Sequence, residues 1–566
     1  MLSIRKIGAF GRTYRHLSRY RQILAILFKY GFGDIVERLN IDQYIEIGLQ
    51  MISSRRPAHT VQKQTRPERV RMALEELGPT CIKLGQLLSM RADLIPVRFI
   101  RELSKLQDDV PPFPFSEVRQ IFESEFGALP SELFEHFEEK PFASASIGQV
   151  HRARLRSGEL VAVKVQRPGL KGIIEVDLEI MLHLAMLMEG NIEEFALHRP
   201  VKIVEEFARV VEKELDYTHE MANMERFAGQ FFGDPTVYVP RVFRALTTDR
   251  ILTMEFISGI KISRTDELER AGYDKKKIVA IGTDLLLRQV FDHGFFHADP
   301  HPGNIRVISR NAICMLDFGM MGTIDRYNRS DFVDLIYSVV RRDDPRTAQV
   351  LLKLTLWERE PDIRALERDV SEFMGQYLYK PLKEIEIGKL LQHLLELTSR
   401  HHLRLPPEIF LMLKALGTIE GIARLLDPDF DMVARAAPFI RREKMERFRP
   451  KRMAEDVFNL SSDLFEFVQQ FPRELLELAR IIKRQQLSVQ FEHHGLEGLI
   501  ETHDRISNKL SIAIIVAALI IGSSIVIIAR IPPLFYDISL IGIIVFVAAV
   551  IMGIWLMIEI IRKGRI

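Results

Sequence analysis

Near its C-terminus the chain carries two long stretches without a charged residue. Leu510 to Ala529, LSIAIIVAALIIGSSIVIIA, is 20 residues, and Ile538 to Ile558, ISLIGIIVFVAAVIMGIWLMI, is 21. At about 1.5 Å rise per residue, a helix over either run spans roughly 30 Å, the hydrocarbon thickness of a bilayer. Neither run has a polar face, so a soluble fold would have to surround each helix on every side. A transmembrane helical hairpin is the expected outcome. Only RIPPLFYD lies between the runs, while Arg505, Lys509, Arg562, Lys563 and Arg565 flank them outside. The positive-inside bias then places both flanks in the cytoplasm, the Pro-Pro turn on the far side, and the body of the protein in the cytoplasm.

The other end is biased differently. Residues 1 to 30 hold seven Lys and Arg and no acidic residue, mixed with ILAILF. The apolar stretch is short and no small-residue cleavage site follows, which fits a secretory signal poorly. Two readings stand: a basic helix lying on anionic lipid, or one docked on its own protein. The full length of 566 residues exceeds what one core usually organises, so several domains are expected. A formal charge of +2 gives no case for a nucleic-acid partner. Two distant cysteines, Cys81 and Cys314, exclude a disulfide framework and suit a reducing compartment.

Between these ends the pattern alternates. Basic N-terminal helices (1–64) precede a helical extension (65–112) interrupted at LGPT and near Pro96. The runs IGQVHRARL and LVAVKV, joined by RSGE, read as a hairpin in a β-rich lobe (113–257). A larger, mostly helical lobe (258–450), a helical linker (451–508) and the membrane hairpin (509–561) follow. The expected class is α+β, two lobes with helical additions at both ends.

The stretch FDHGFFHADPHPGNIRVISRNAICMLDFG, residues 291–319, concentrates polar groups between apolar strands. His297 and His301 have i, i+4 spacing, but Pro300 and Pro302 exclude a regular helix and no cysteine adjoins the pair, which argues against a transition-metal site. A phosphoryl-transfer site needs a cation on the phosphates, carboxylate and amide oxygens for Mg²⁺, and a group that positions the nucleophile. Lys164 closes VAVK on a strand after a hairpin. Asp299 and Asn304 have a five-residue offset, and Asp317 opens DFG after a short hairpin. Those three motifs stand in protein-kinase order.

The chain departs from an ordinary protein kinase too. No G-x-G-x-x-G precedes Lys164; FASASIGQVH stands there, with Ala143, Ser144, Ala145 and Ser146 in place of glycines. HADPHPGN replaces HRD, and APE is absent. These departures form a pattern of their own. KLGQ (83–86), ASASIGQVH, ELD (214–216), HADPHPGN and DFG together resemble the UbiB family of AarF- or ADCK-like atypical kinases, over roughly residues 65 to 325. The two C-terminal spans are similar to its bacterial branch; Ser144, where the family usually has Ala, is a departure.

The resemblance implies a protein-kinase-like bilobal fold that binds ATP with Mg²⁺. Lys164 would meet phosphate, with Glu220 as its ion-pair partner, and Asn304 and Asp317 would hold the metal. Asp299 would take the catalytic position. Ala143, Ser144, Ala145, Ser146, Ile147, Gly148 and Val150 would cover the nucleotide, with Glu255 and Ile257 beside it. Lys83 would return from the extension to meet Glu214, occupying the path of a peptide substrate. The implied function is an atypical kinase or ATPase, anchored in the inner membrane, that supports biosynthesis of ubiquinone or another isoprenoid quinone. Its implied partners are ATP, membrane lipids, quinone precursors and quinone-biosynthesis proteins. A nucleotide-binding pseudokinase scaffold and a true protein or small-molecule kinase are the alternatives.

Overall fold

The computed structural model describes residues 14–39, 64–91, 94–106, 111–192, 199–357, 360–378, 387–446, 497–529, 532–535 and 538–563. The chain divides into two compact units, residues 1–454 and 455–566. Residues 1–13, most of the expected linker, Arg565 and half of the RIPPLFYD turn lie outside the described residues.

In the first unit, helix α1 (Tyr14–Lys29) buries Tyr20, Ile23, Leu24 and Ile26. They pack with Ala73 and Leu77 of α2 (Arg66–Leu77) and Cys81 of α3 (Pro79–Ser89). Gly78 separates α2 from α3 at φ +98°, a conformation that a side chain would strain. Of the two readings of the basic N-terminus, the described part takes the second: the apolar face of α1 is spent on its own protein. Arg19 fastens it, donating to Asp177 Oδ1 and Oδ2 at 2.7 and 3.0 Å and to the Leu77 carbonyl at 2.6 Å.

Helix α4 (Phe115–Phe126) covers one face of a five-stranded antiparallel sheet. Strands β1 (Phe134–Phe137), β2 (Ala143–Ser144), β3 (Gly148–Leu155) and β4 (Leu160–Gln166) open it. Alternation along β4 sends Val161, Val163 and Val165 towards Phe122 and Phe134, and Ala162 and Lys164 to the opposite face. Helices α5 (Leu170–Asn191), α6 (Pro200–Glu214) and α7 (Tyr217–Gln230) follow. After β5 (Val237–Tyr238), β6 (Ile251–Glu255) completes the first sheet beside β4.

A second sheet joins β5 to β7 (Ile260–Lys261), β9 (Ile305–Ile308) and β10 (Ala312–Met315) in the order β5-β10-β9-β7. Strand β8 (Phe295–His297) pairs with β11 (Met321–Thr323). Helices α8 (Lys275–Arg288) and α9 (Pro407–Leu426) enclose this region with one continuous apolar core.

The second unit contains α10 (Glu497–Ile528) and α11 (Leu540–Lys563), which pack along one another. Among the described residues one stretch is long and apolar enough to cross a membrane, Leu510–Ile528; Ile543–Ile554 is apolar but shorter. Leu510, Ile521, Ile525, Ile544 and Ile551 are each at least 60% exposed, a density of apolar surface unusual in water.

Candidate functional site

Register brings the candidate residues together. Lys164 lies opposite Val150 on β3 and Leu252 on β6, in the middle of the sheet. Asp216 caps α7 by accepting the Thr218 N–H at 2.9 Å. That start sets Tyr217, Glu220, Met224 and Phe227 on the buried face of the helix. Lys164 Nζ donates to Glu220 Oε2 at 2.8 Å and Oε1 at 3.1 Å, and lies 5.2 Å from the centre of the Tyr217 ring. At Gly148 the backbone is so close that an added Cβ would sit 2.5 Å from the Val165 carbonyl and 2.6 Å from the Tyr217 hydroxyl.

The hairpin of β9 and β10 delivers the next pair. Met315 faces Ile305, and the Leu316 N–H donates to the Asn304 carbonyl at 3.0 Å. Asn304 and Asp317 therefore flank the open end of one hairpin, thirteen residues apart in sequence. The Gly319 N–H donates to Asp317 Oδ1 at 3.0 Å. The Phe318 N–H reaches Glu220 Oε1 at 3.4 Å, and Asn223 donates to the Phe318 carbonyl at 2.9 Å. Helix α7 is thus fastened to DFG by backbone as well as side chain, with Phe227 and Phe318 ring centres 5.2 Å apart.

The histidines are structural. His297 is buried; its Nδ1 accepts the Asp299 N–H at 3.2 Å, so Nε2 carries the proton donated to the Asp317 carbonyl at 2.5 Å. Both nitrogens are consumed, leaving neither for a metal. His301 Nδ1 accepts the Gly303 N–H at 3.1 Å, closing the turn before Asn304.

Electrostatics follows from this crowding. Burial opposes the Lys164 charge, but the fields of Glu220 and Asp317 outweigh it and hold the ammonium above the ordinary lysine range. Burial pushes Glu220 up, against the pull of Lys164. The Lys164 ammonium draws the Asp317 carboxyl down to about 2 despite burial, aided by the Gly319 N–H. Asp317 is therefore an anion throughout the physiological range. Burial lowers His297, so its ring is neutral.

The extension reaches the same place. Lys83 Nζ lies 3.3 Å from Glu214 Oε2, each side chain mostly shielded. Lys83 and Glu214 share a small pocket with Ser146 and Ile147, so α3 abuts the alanine-rich loop. Gln86 turns elsewhere, donating to the Leu106 carbonyl at 3.3 Å. Ala143, Ser144 and Ala145 lie on β2 and its turn, where the Ala145 N–H donates to the Gly148 carbonyl at 2.8 Å. Glu255 ends β6 and Ile257 follows it, both half-buried, and Glu255 already accepts the Tyr238 hydroxyl at 2.8 Å. Asp299 is more open, with Lys414 Nζ of α9 3.5 Å from Oδ1. Sequence motifs gave no sign of Lys414, Tyr217 or Asn223; each comes from an element whose packing has to be known first.

Hard oxygen donors suit Mg²⁺. Asp317 Oδ2 and the Asn304 side chain take no hydrogen bond from another described residue, and Asp317 lies within the field of Lys164. Two protein oxygens with phosphate and water completing the shell is the usual Mg-nucleotide arrangement.

The ABC1 atypical kinase-like domain matches residues 105–351, the UbiB helical domain 370–431, and the ABC1/UbiB kinase-like C-terminal domain 494–562. An uncharacterized protein in the hydrogenase 1 5′ region of Clostridium pasteurianum is 34% identical over 97% of this chain and 99% of its own. A probable protein kinase UbiB of Cellvibrio japonicus is 36% identical over 72% of this chain and 75% of its own. Among solved structures, the Rv3197–erythromycin complex of Mycobacterium tuberculosis covers 70% of this chain and 97% of its own, at 25% identity and a TM-score of 0.45. The fold is kinase-like, and the chain belongs to the ABC1/UbiB family of atypical kinases.

Proposed function

We propose that the protein binds Mg-ATP between its two lobes and uses it at a membrane surface in support of ubiquinone or related isoprenoid-quinone biosynthesis. The observation that carries the nucleotide reading is the Lys164–Glu220 pair held at 2.8 Å within the field of Asp317. A half-buried ammonium beside two carboxylates has excess negative charge around it, which a bound Mg²⁺ would offset while the ammonium meets the phosphates. Asn304 and Asp317 would hold Mg²⁺, which supplies charge neutralisation on the phosphates. Lys164 would bind the phosphates, the loop 143–150 would lie over the nucleotide, and Glu255 and Ile257 would border it. Asp299 would orient and deprotonate the attacking hydroxyl.

The helix bearing Lys83 favours hydrolysis, or transfer to a small acceptor, over transfer to a protein. It stands against the alanine-rich loop through the Lys83–Glu214 pair, where an extended peptide would have to pass. The two apolar C-terminal helices, read as an inner-membrane hairpin, would keep this site beside lipid-borne precursors and biosynthetic partners, with the kinase-like lobes in the cytoplasm.

The test is ATP turnover by the full chain with and without anionic vesicles, joined to quinone profiling of a deletion strain. Wild type should restore the quinone and Asp317→Asn should not. Restoration by Asp317→Asn would establish a scaffold instead of an ATP-using enzyme.

A further inference from the structure

The proposed catalytic loop has an electrostatic gap. Between Asp299 and Asn304 stand Pro300, His301, Pro302 and Gly303, and none carries a permanent positive charge. The exposed His301 ring accepts the Gly303 N–H through Nδ1. Lys164, bonded twice to Glu220, would serve the α- and β-phosphates, and Lys83 is paired with Glu214. A terminal phosphoryl group arriving beside Asp299 would meet an anion, whereas phosphoryl transfer requires cations on the oxygens where charge accumulates.

Helix α9 fills that gap. It is anchored by Phe410, Leu413, Leu416 and Ile419 in the core, so the backbone of Lys414 is held firmly. From there Lys414 places Nζ 3.5 Å from Asp299 Oδ1, with side-chain exposures of 29% and 39%. The pair is open enough to admit a ligand. At 3.5 Å the contact is long for a charge-assisted hydrogen bond, which leaves the ammonium free to share a second oxygen.

The geometry points to Lys414 as the cation that meets the terminal phosphoryl group of ATP, supplied to the kinase-like centre by a helix of the UbiB helical domain. The inference rests on the Mg-ATP reading above. In the reaction a water or hydroxyl oxygen bonds to the terminal phosphorus while its bond to the bridging oxygen breaks. The electron pair leaves on ADP, and the nucleophile's proton passes to Asp299 and on to solvent. Lys414 takes no part in that proton transfer. It offsets the Asp299 charge as ATP binds and the charge on the terminal oxygens as the bond breaks.

ADP lacks that phosphoryl group, so nucleotide discrimination separates this role from a structural one. Mg-ATP and Mg-ADP affinities and ATP turnover would be measured for the full chain, Lys414→Gln and Lys414→Arg. Lys414→Gln should weaken Mg-ATP at least about tenfold, leave Mg-ADP nearly unchanged and slow turnover on the order of a hundredfold. Lys414→Arg should recover most of the Mg-ATP affinity. Equal changes for both nucleotides, or none, would overturn the assignment while leaving the Mg-ATP reading intact. A wild-type chain that binds neither nucleotide would overturn both.

Discussion

The His297 imidazole donates from Nε2 to the backbone carbonyl of Asp317 at 2.5 Å, twenty residues away in sequence. Through Nδ1 the same ring accepts the N–H of Asp299 at 3.2 Å, so one neutral histidine ties together the backbones of the two candidate aspartates.

Burial lowers His297 below its unfolded value near 6.5, so the unfolded chain takes up a proton that the folded chain refuses. Stability from this ring is present above about pH 6.5 and falls as pH drops below it. Melting temperature should decline from pH 7 to 5. His297→Ala should cost about 2–4 kcal/mol at pH 7 and flatten part of that decline. A variant with an unchanged slope would show that another group governs the acid limb.

Asp317→Asn and Asn304→Ala should abolish the stabilisation by Mg-nucleotide. For wild type at a hundredfold excess over Kd that stabilisation is about 2.7 kcal/mol. Thermal unfolding with and without Mg-ATP measures it. Lys164→Ala is a poorer probe, because it strands the buried Glu220 carboxylate and destabilises the apo-protein as well.

Lys83 and Glu214 should be coupled. In a double-mutant cycle of Lys83→Met and Glu214→Gln, urea unfolding should give a coupling free energy of about 1 kcal/mol, as expected for a partly shielded pair. Additive single effects would mean that the extension is held by its apolar contacts alone.

Arg19→Ala should destabilise the first unit by about 3 kcal/mol, since it leaves the Asp177 carboxylate buried without its cation. Asp177→Asn should cost less, because the amide can still receive one of the guanidinium hydrogen bonds. Chemical denaturation of the two variants gives the comparison.

Truncation after Ala454 should release the chain from the membrane fraction and preserve the nucleotide-dependent shift in melting. If the truncated chain stays in the membrane pellet after a high-salt wash, the anchor lies in the basic N-terminal segment.

The local steps of this fold were legible in the residues themselves. Alternation in LVAVKV names the face of Lys164, Gly78 and Pro79 break the extension into two helices, and the spacing of Asp299, Asn304 and Asp317 marks one hairpin and its flanks. Two C-terminal apolar runs were equally plain, although one stretch among the described residues meets the full length of a span. What the residues could not say is which distant elements close the centre. Hydrophobic periodicity states that α9 has a buried face but not what that face packs against, and so gives no hint that Lys414 stands 3.5 Å from Asp299. Nor could a basic N-terminal helix announce whether lipid or its own protein receives its apolar side; Asp177, 158 positions beyond Arg19, decides that. Short-range order is set by backbone geometry and side-chain periodicity within a few residues, whereas charge pairing across the cleft depends on which surfaces the apolar core presses together.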